Sequence, residues 1–176
     1  MKPFSVATLN LHHFVSWEER FPKIIELFKN TNPDIIFTQE TQSDSRFSTK
    51  NQVELLNTGL NYPYILFSVA EVRTHQKGET LPSPVEHGLG IISKYPIKEV
   101  KVHKLSQEKE DKEKRIAVTY TLSIEGEEFS ITNVHFANKD DWAYLQLQEV
   151  IGFTKPETSI IGDFNIHSFN FLESRI

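Results

Sequence analysis

The hydrophobic pattern near the start of the chain predicts a strand, a helix and a second strand. Residues 4–11 (FSVATLNL) mix β-branched, aromatic and aliphatic side chains, as a buried strand does. Residues 21–28 carry apolar side chains at helical spacing, and Ser16 is the predicted N-cap of this helix, within a capping box. Residues 34–39 (DIIFTQ) form a second apolar strand with Glu40 at its C-terminal end. Such a unit joins parallel strands by a right-handed crossover.

The rest of the pattern adds two helices, several strands and two polar loops. The predicted helices lie near residues 51–56 and 142–153, and the predicted strands are 64–70, 88–93, 115–124, 128–135 and 158–161. The polar segment 71–86, with Pro82 and Pro84, is predicted as a long surface loop, and the mixed-charge run 107–114 as a solvated one. About eight strands and three helices, with parallel and hairpin connections, predict a mixed α/β domain.

Composition narrows the class of protein. A chain of 176 residues suits one ordinary domain, and we expect a single domain over residues 1–176. The absence of cysteine excludes a disulfide scaffold, a thiolate metal site and a cysteine nucleophile. The net charge of -5 provides no global cationic field for nucleic acid, although a bound metal or a local basic patch can still recruit a phosphate.

Targeting signals are not visible in the sequence. The N-terminus has no apolar signal core, and no apolar run approaches the ~20 residues that span a membrane. We therefore expect a cytoplasmic protein with no integral membrane association. Secretion stays open if the first methionine stands in place of a removed signal.

Polar residues recur at the C-terminal ends of the apolar strands. They are Asn10, Glu40, Asn133, His135 and Asp163. Each has an ordinary structural explanation when taken alone: Asn10 can cap a turn, Asp163 can form an Asx-turn after glycine, and His135 can be a hydrogen-bonded core histidine. Because strand ends project side chains from a rigid scaffold, strands of a shared layer can bring these residues to one site.

Five segments resemble the endonuclease/exonuclease/phosphatase superfamily, which has the DNase I-like fold. In chain order they are residues 7–10 (ATLN), 34–40 (DIIFTQE), 90–97 (GIISKYPI), 132–135 (TNVH) and 162–165 (GDFN). The resemblance implies an α/β architecture: a four-layer sandwich of two mixed β-sheets flanked by helices, here incomplete at the C-terminus. It also implies a metal-dependent phosphoric ester hydrolase.

The resemblance implies a role for each matching residue. Glu40 looks like the metal-binding glutamate, with Asn10 as a weaker or water-mediated partner. Oxygen ligands of this kind suit Mg²⁺ or Mn²⁺. Asp163 and Asn165 resemble the pair that positions the attacking water and contacts the phosphate, and His135 resembles the histidine at the scissile phosphate. These three are the expected catalytic residues.

Three further residues are expected on the substrate side. Arg115, at the start of a predicted strand, lies where several family members place a phosphate-contacting arginine. Asn138 and His87 are further candidate contacts to the substrate phosphate.

The chain departs from the family pattern at its C-terminus. The family's site normally closes with a Ser-Asp-His motif on a final strand, and no such motif follows Asn165. Residues 166–176 resemble the start of a loop and helix, so we expect a C-terminally truncated chain. A naturally short protein and one completed by a partner chain are the alternatives. His12 or His167 could replace the absent histidine, and without completion of the site we expect weak or absent activity.

Two functions follow. The first is hydrolysis of a phosphodiester or phosphomonoester by metal-assisted attack of water. The substrate of this reaction can be a nucleic acid, a nucleotide, a phospholipid headgroup or an inositol phosphate, because the fold of an enzyme does not determine which substrate it takes. The alternative is a catalytically silent or fragmentary relative that acts as a binding module.

Overall fold

The described part of the chain forms eight strands and three helices. The computed structural model describes residues 3–167 except 77, 78, 108, 110 and 112. In chain order the elements are β1 (Val6–Asn10), α1 (Trp17–Thr31), β2 (Ile35–Ser43), α2 (Gln52–Leu60), β3 (Tyr64–Gln76), β4 (Glu79–Ser93), β5 (Ile97–Lys104), β6 (Ile116–Ile124), β7 (Glu127–His135), α3 (Asp140–Phe153) and β8 (Ser159–Asp163). The predicted mixed α/β class is confirmed.

The strands form two mixed sheets of four strands each. In the first sheet the order is β1-β2-β4-β3, with β1 parallel to β2 and the other pairs antiparallel. In the second sheet the order is β5-β6-β7-β8, and β7 and β8 form its parallel pair. The parallel β1–β2 pair confirms the strand–helix–strand unit predicted at the N-terminus.

Successive side chains along the strands point to opposite faces of each sheet, and this alternation produces four layers. Ile35 and Phe37 of β2 face the core between the sheets, where the ring of Phe37 lies 5.7 Å from that of Tyr120 on β6. Ile36, between them, packs on the other face with α1 and α2. On the far side, Val150 of α3 packs against the second sheet. Each fully buried side chain of this kind contributes about 1.5–3 kcal/mol.

All three helices described here pack against the sheets. Of the helices described here, none has the length and apolar character that crossing a lipid bilayer requires.

Residues 71–76 and 79–86 belong to a long hairpin, so the predicted surface loop is wrong. Strands β3 and β4 continue through this segment as antiparallel partners. The pairing register shifts between Arg73 and His75, and Pro82 and Pro84 fall in the gap on the opposite strand. Because proline has no N–H to donate, it is tolerated where the ladder is interrupted. The polar composition reflects a hairpin that extends towards solvent.

Two other local features differ from the sequence pattern. Ser16 caps α1 with a left-handed backbone (φ 47°), and its side chain makes no capping hydrogen bond, so the predicted capping box is wrong. Glu18 and Glu19 nonetheless lie in the first turn, where negative charge complements the helix dipole. Strand β5 was not predicted, because its residues 97–104 are rich in lysine and it forms an exposed sheet edge.

Asp34 ties the start of β2 to two other segments. Its Oδ2 accepts hydrogen bonds from the Ser5 backbone N–H at 2.8 Å and hydroxyl at 2.9 Å, and its Oδ1 lies 3.2 Å from Lys94 Nζ. The bond from the Ser5 backbone, followed by that from its hydroxyl and by Lys94, holds the pKa of Asp34 below its ordinary value.

We expect Asp34→Asn to lower the free energy of unfolding by about 1 kcal/mol at pH 7. A carboxylate with a depressed folded-state pKa stabilises above its unfolded-state pKa, and this contribution disappears as pH falls through the folded-state pKa. The two proteins should therefore converge in urea denaturation below about pH 4. Glu26→Gln, which removes a charge from the exposed face of α1, should show little change at either pH. A difference for Asp34→Asn that persists at low pH would contradict this explanation.

Candidate active site

The C-terminal ends of β1, β7 and β8 meet an interior position of β2 at one edge of the sandwich. Asn10 ends β1, and the register of β7 with β8 sets His135 beside Asp163. The Asn10 side-chain amide donates to Glu40 Oε1 and to Asp163 Oδ2, both at 2.9 Å. His135 Nε2 lies 3.8 Å from the same Glu40 oxygen and 3.9 Å from the same Asp163 oxygen. The structure thus brings together Asn10, Glu40, His135 and Asp163.

Glu40 lies at an irregularity inside β2, so its predicted place at the end of the strand is wrong. Strand β2 continues to Ser43, and its pairing with β4 shifts register between Thr38 and Thr41. Glu40 has a left-handed backbone with φ 47°. Bulges redirect side chains, and strained backbone is common at functional sites. The irregularity therefore accounts for a carboxylate that faces Asn10 in the middle of a strand.

A buried amide pair joins the two sheets below this cluster. Gln39 Nε2 donates to Asn133 Oδ1 at 2.7 Å, and Asn133 Nδ2 donates to the carbonyl oxygens of Thr38 and Gly90. Both side chains are fully buried, where a satisfied polar network is rigid and an unsatisfied one is costly. Asn133 therefore holds the sheets in register beside His135 rather than entering the site.

Asn165 lies two residues beyond the end of β8 and is held against the residue that follows β7. Its backbone N–H donates to Asp163 Oδ1 at 3.2 Å, and its side-chain amide donates to the Phe136 carbonyl oxygen at 2.9 Å. Its backbone is left-handed, with φ 48°. These bonds place Asn165 beside Asp163, as the sequence predicts.

Arg115 contacts one ring nitrogen of His135 and thereby selects its tautomer. Arg115 is buried, and its Nη1 lies 3.3 Å from His135 Nδ1. Burial first, and then the guanidinium charge, hold the pKa of His135 below its ordinary value, although the nearby carboxylates oppose the shift. Because arginine only donates, Nδ1 of the neutral ring must accept and Nε2 carries the proton. That proton lies on the side of Glu40 and Asp163.

A cavity beside the cluster is lined by His87, one of the two remaining candidates. Glu40, His87, Arg115 and His135 line it, whereas Asn138 is exposed in the loop after β7 and lies outside it. Burial lowers the pKa of His87 to about 3, so its imidazole is neutral at physiological pH. The structure therefore places His87, but not Asn138, close to the expected phosphate ligands.

The cavity also contains residues that the sequence did not single out. His13 Nε2 lies 3.4 Å from Glu40 Oε2, and burial lowers the pKa of His13 despite this carboxylate. Arg73 and Glu113 complete the same wall. The sequence did not single out Arg73 or Glu113 individually, because the first falls in the predicted surface loop and the second in the mixed-charge run. His12 and His167, the proposed substitutes for a missing histidine, are exposed and lie outside this cavity.

The chemistry of the cluster suits a hard divalent cation. Two carboxylates, Glu40 and Asp163, share a single neutral amide donor, so their combined negative charge has little compensation at that point. Mg²⁺ characteristically binds one or two carboxylates and completes its shell with water and phosphate. Within residues 3–167, as far as they are described, no three His, Cys, Asp or Glu side chains form a group that could hold a metal ion by themselves. The donor set fits Mg²⁺ or Mn²⁺ bound by the two carboxylates, with water and phosphate completing the shell.

Comparison with known proteins agrees with this geometry. The model of the endonuclease/exonuclease/phosphatase family matches residues 7–171. The chain belongs to this family. The resemblance drawn from the five segments is thereby confirmed, and so is the DNase I-like fold of two mixed sheets with flanking helices. A comparison with curated proteins found no match.

Several solved structures share the family fold. The endonuclease/exonuclease/phosphatase from Beutenbergia cavernae has a TM-score of 0.78 at 22% identity, over 93% of this chain and 47% of that one. A mannosyl-6-phosphatase from Bacteroides thetaiotaomicron has a TM-score of 0.63 at 21% identity, over 93% and 66%. A beta toxin variant from Staphylococcus aureus with bound magnesium ions has a TM-score of 0.69 at 18% identity, over 98% and 69%.

This chain is shorter than the structures it matches. It spans about half of the Beutenbergia cavernae protein and about two thirds of the other two. The predicted loop and helix at the C-terminus fall largely on residues 168–176, which lie outside the described residues.

Proposed function

We propose that this chain forms much of the active site of a Mg²⁺- or Mn²⁺-dependent phosphoesterase. The reaction is hydrolysis of a phosphate ester by metal-assisted attack of water. One observation carries the proposal: the Asn10 amide bonds to both Glu40 and Asp163, and the His135 Nε2–H lies just beyond hydrogen-bond distance of the same two carboxylates. Residues from both sheets thus converge around one potential reaction centre.

Glu40 would hold the metal, with Asn10 as its neighbour. When bound, the ion supplies Lewis-acid polarisation of the phosphoryl oxygens and neutralises their charge. Asp163 orients the attacking water and accepts its proton.

The remaining residues act on developing negative charge. His135 presents its Nε2–H towards the phosphate, and Arg115 keeps the ring in that tautomer through Nδ1. Asn165 contributes a further polar group beside Asp163. Preorganised donors of this kind stabilise the transition state because they need no reorientation during the reaction.

The family comprises hydrolases of phosphate esters, which supports the reaction class. The magnesium ions in the beta toxin variant and the phosphatase activity named for the Bacteroides thetaiotaomicron protein are consistent with the proposed metal and chemistry. The substrate is proposed at the level of a phosphate ester, which includes nucleic acid, nucleotide, phospholipid headgroup and inositol phosphate.

The test is hydrolysis of bis-p-nitrophenyl phosphate by the full-length protein. We expect turnover with Mg²⁺ or Mn²⁺, complete loss with EDTA, and recovery when the metal is restored. Thermal unfolding should show a metal-dependent rise in Tm, because a ligand that binds the folded state stabilises it. A Tm rise without turnover of any phosphate ester would favour the binding-module alternative, and turnover that is insensitive to EDTA would contradict the metal site.

A further inference from the structure

The loop between β5 and β6 places one carboxylate between the two arginines of the cavity. Glu113 Oε1 lies 3.6 Å from Arg73 Nη2 and 4.0 Å from His13 Nε2. Its second oxygen, Oε2, lies 3.3 Å from Arg115 Nη2. The Glu113 side chain is 34% exposed, whereas that of Arg115 is 4% exposed. A solute that enters the cavity therefore meets Glu113 before it meets the buried guanidinium.

Both arginines also have other acidic partners. Arg73 pairs with Glu71, and Arg115 Nε donates to Asp111 Oδ2 at 3.0 Å. The third cation of the cavity, Lys114, donates through Nζ to Gln107 Oε1. The guanidinium groups are thus neutralised by this chain's own carboxylates.

The charges at the cavity do not favour a dianion. Among the residues that the structure describes, the cavity's cationic side chains are Arg73, Lys114 and Arg115, and they are matched by the lining carboxylates Glu40, Glu71 and Glu113. Asp111, which pairs with Arg115, and Asp163, which shares the Asn10 amide with Glu40, add two further negative charges. A divalent cation at Glu40 would bring the sum of these described charges to zero, and they would provide no excess positive charge for a doubly charged ligand.

This balance matters because phosphate esters differ in charge. A phosphodiester carries one negative charge, whereas a phosphomonoester has a second pKa near 6 and carries almost two at pH 8. Repulsion by a fixed carboxylate doubles when the charge of the ligand doubles. A carboxylate beside the phosphate-binding groups therefore discriminates against monoesters.

We propose that Glu113 is a specificity-determining residue that favours singly charged phosphodiesters over doubly charged phosphomonoesters. The inference rests on the proposed function, because it concerns the same site. The competing explanation is that Glu113 only anchors its loop to the two arginines. In that case its removal would change stability without changing the preference between monoanion and dianion.

Binding measurements separate the two explanations. Isothermal titration calorimetry at pH 8 with inorganic phosphate and dimethyl phosphate compares a dianion with a monoanion on the full chain. Wild type should bind dimethyl phosphate at least as tightly as inorganic phosphate. In Glu113→Gln the affinity for inorganic phosphate should rise about tenfold more than that for dimethyl phosphate, since one repulsive charge has been removed. Glu113→Ala should show the same shift, which distinguishes loss of charge from a new contact of the glutamine.

Glu99→Gln is the matched control. It removes the same charge from β5, where Glu99 pairs with Lys101 outside the cavity, and should leave the ratio of the two affinities unchanged. In turnover assays, Glu113→Gln should raise kcat/KM for p-nitrophenyl phosphate relative to bis-p-nitrophenyl phosphate by a similar factor.

Two results would overturn the inference: an unchanged ratio of affinities in both Glu113 variants, or a wild-type preference for inorganic phosphate. Failure of the proposed function has a different signature. If no variant hydrolyses either ester while the affinity ratio shifts as expected, the charge discrimination stands and the hydrolase assignment falls.

Discussion

Glu40→Gln is expected to reduce kcat for bis-p-nitrophenyl phosphate about a thousandfold and to abolish its dependence on Mg²⁺ or Mn²⁺. Glutamine preserves the shape of the side chain but removes the charge that would hold the metal. Since Glu40 shares the Asn10 amide with Asp163, the substitution also relieves repulsion between two carboxylates. The variant should therefore fold normally and lose the metal-dependent rise in Tm.

Asp163→Ala gives the complementary result. It should be nearly inactive, because no carboxylate remains to orient the water and accept its proton. The metal-dependent rise in Tm should be larger in Asp163→Ala than in Glu40→Gln. Glu26→Gln, on the exposed face of α1, serves as a control for charge and should retain wild-type rates. Wild-type rates in both site variants would show that the site has been assigned wrongly.

Gly162→Ala should have the largest effect on stability. Gly162 pairs with Val134 between β7 and β8, and its φ is +137°, a conformation that side chains disfavour. A Cβ there would lie 2.0 Å from the Val134 carbonyl oxygen. We expect the free energy of unfolding to fall by about 3 kcal/mol or more, because strain and a backbone clash act together.

The same substitution should also impair the site. Asp163 follows Gly162 directly, so a displaced β8 would move that carboxylate away from Asn10. Urea denaturation and kcat measure the two effects. Gly152→Ala in α3 is the matched control: its Cβ would meet nothing within 4 Å, and it should be neutral or stabilising by about 0.5–1 kcal/mol. Equal stabilities for the two alanine variants would contradict the role given to the β7–β8 contact.

The site shows which residues local sequence can and cannot identify. Asn10, Asp163 and His135 were recognisable because each lies at the end of an apolar strand within a family segment. Glu113 was not, because its run of mixed charge is typical of any solvated loop. Its role depends on Arg73, which the hairpin β3–β4 brings to it from forty positions away.

The positions of elements were predictable wherever their periodicity was strong. Strand β6 alternates over most of its length and its partner β7 carries apolar side chains at positions 129 and 131, and the turn at Gly126 between them was visible in the sequence. The inner halves of β3 and β4 were predicted as strands, but the outer half of their hairpin was missed because it extends into solvent, where no core imposes an apolar alternation. The irregularity at Glu40 was missed because a register shift belongs to the pair of strands and not to either one.

The sequence by itself determined the α/β class, the family and the residue types available for phosphoester chemistry. These depend on hydrophobic periodicity and on short motifs, both of which are properties of neighbouring residues. Only the tertiary structure decided which groups meet and in what state of charge. The Asn10–Asp163 bond spans 153 positions, the neutral tautomer of His135 depends on Arg115, and the pairing of the arginines depends on Glu113. Such contacts arise from the packing of one sheet against the other, which no local pattern encodes.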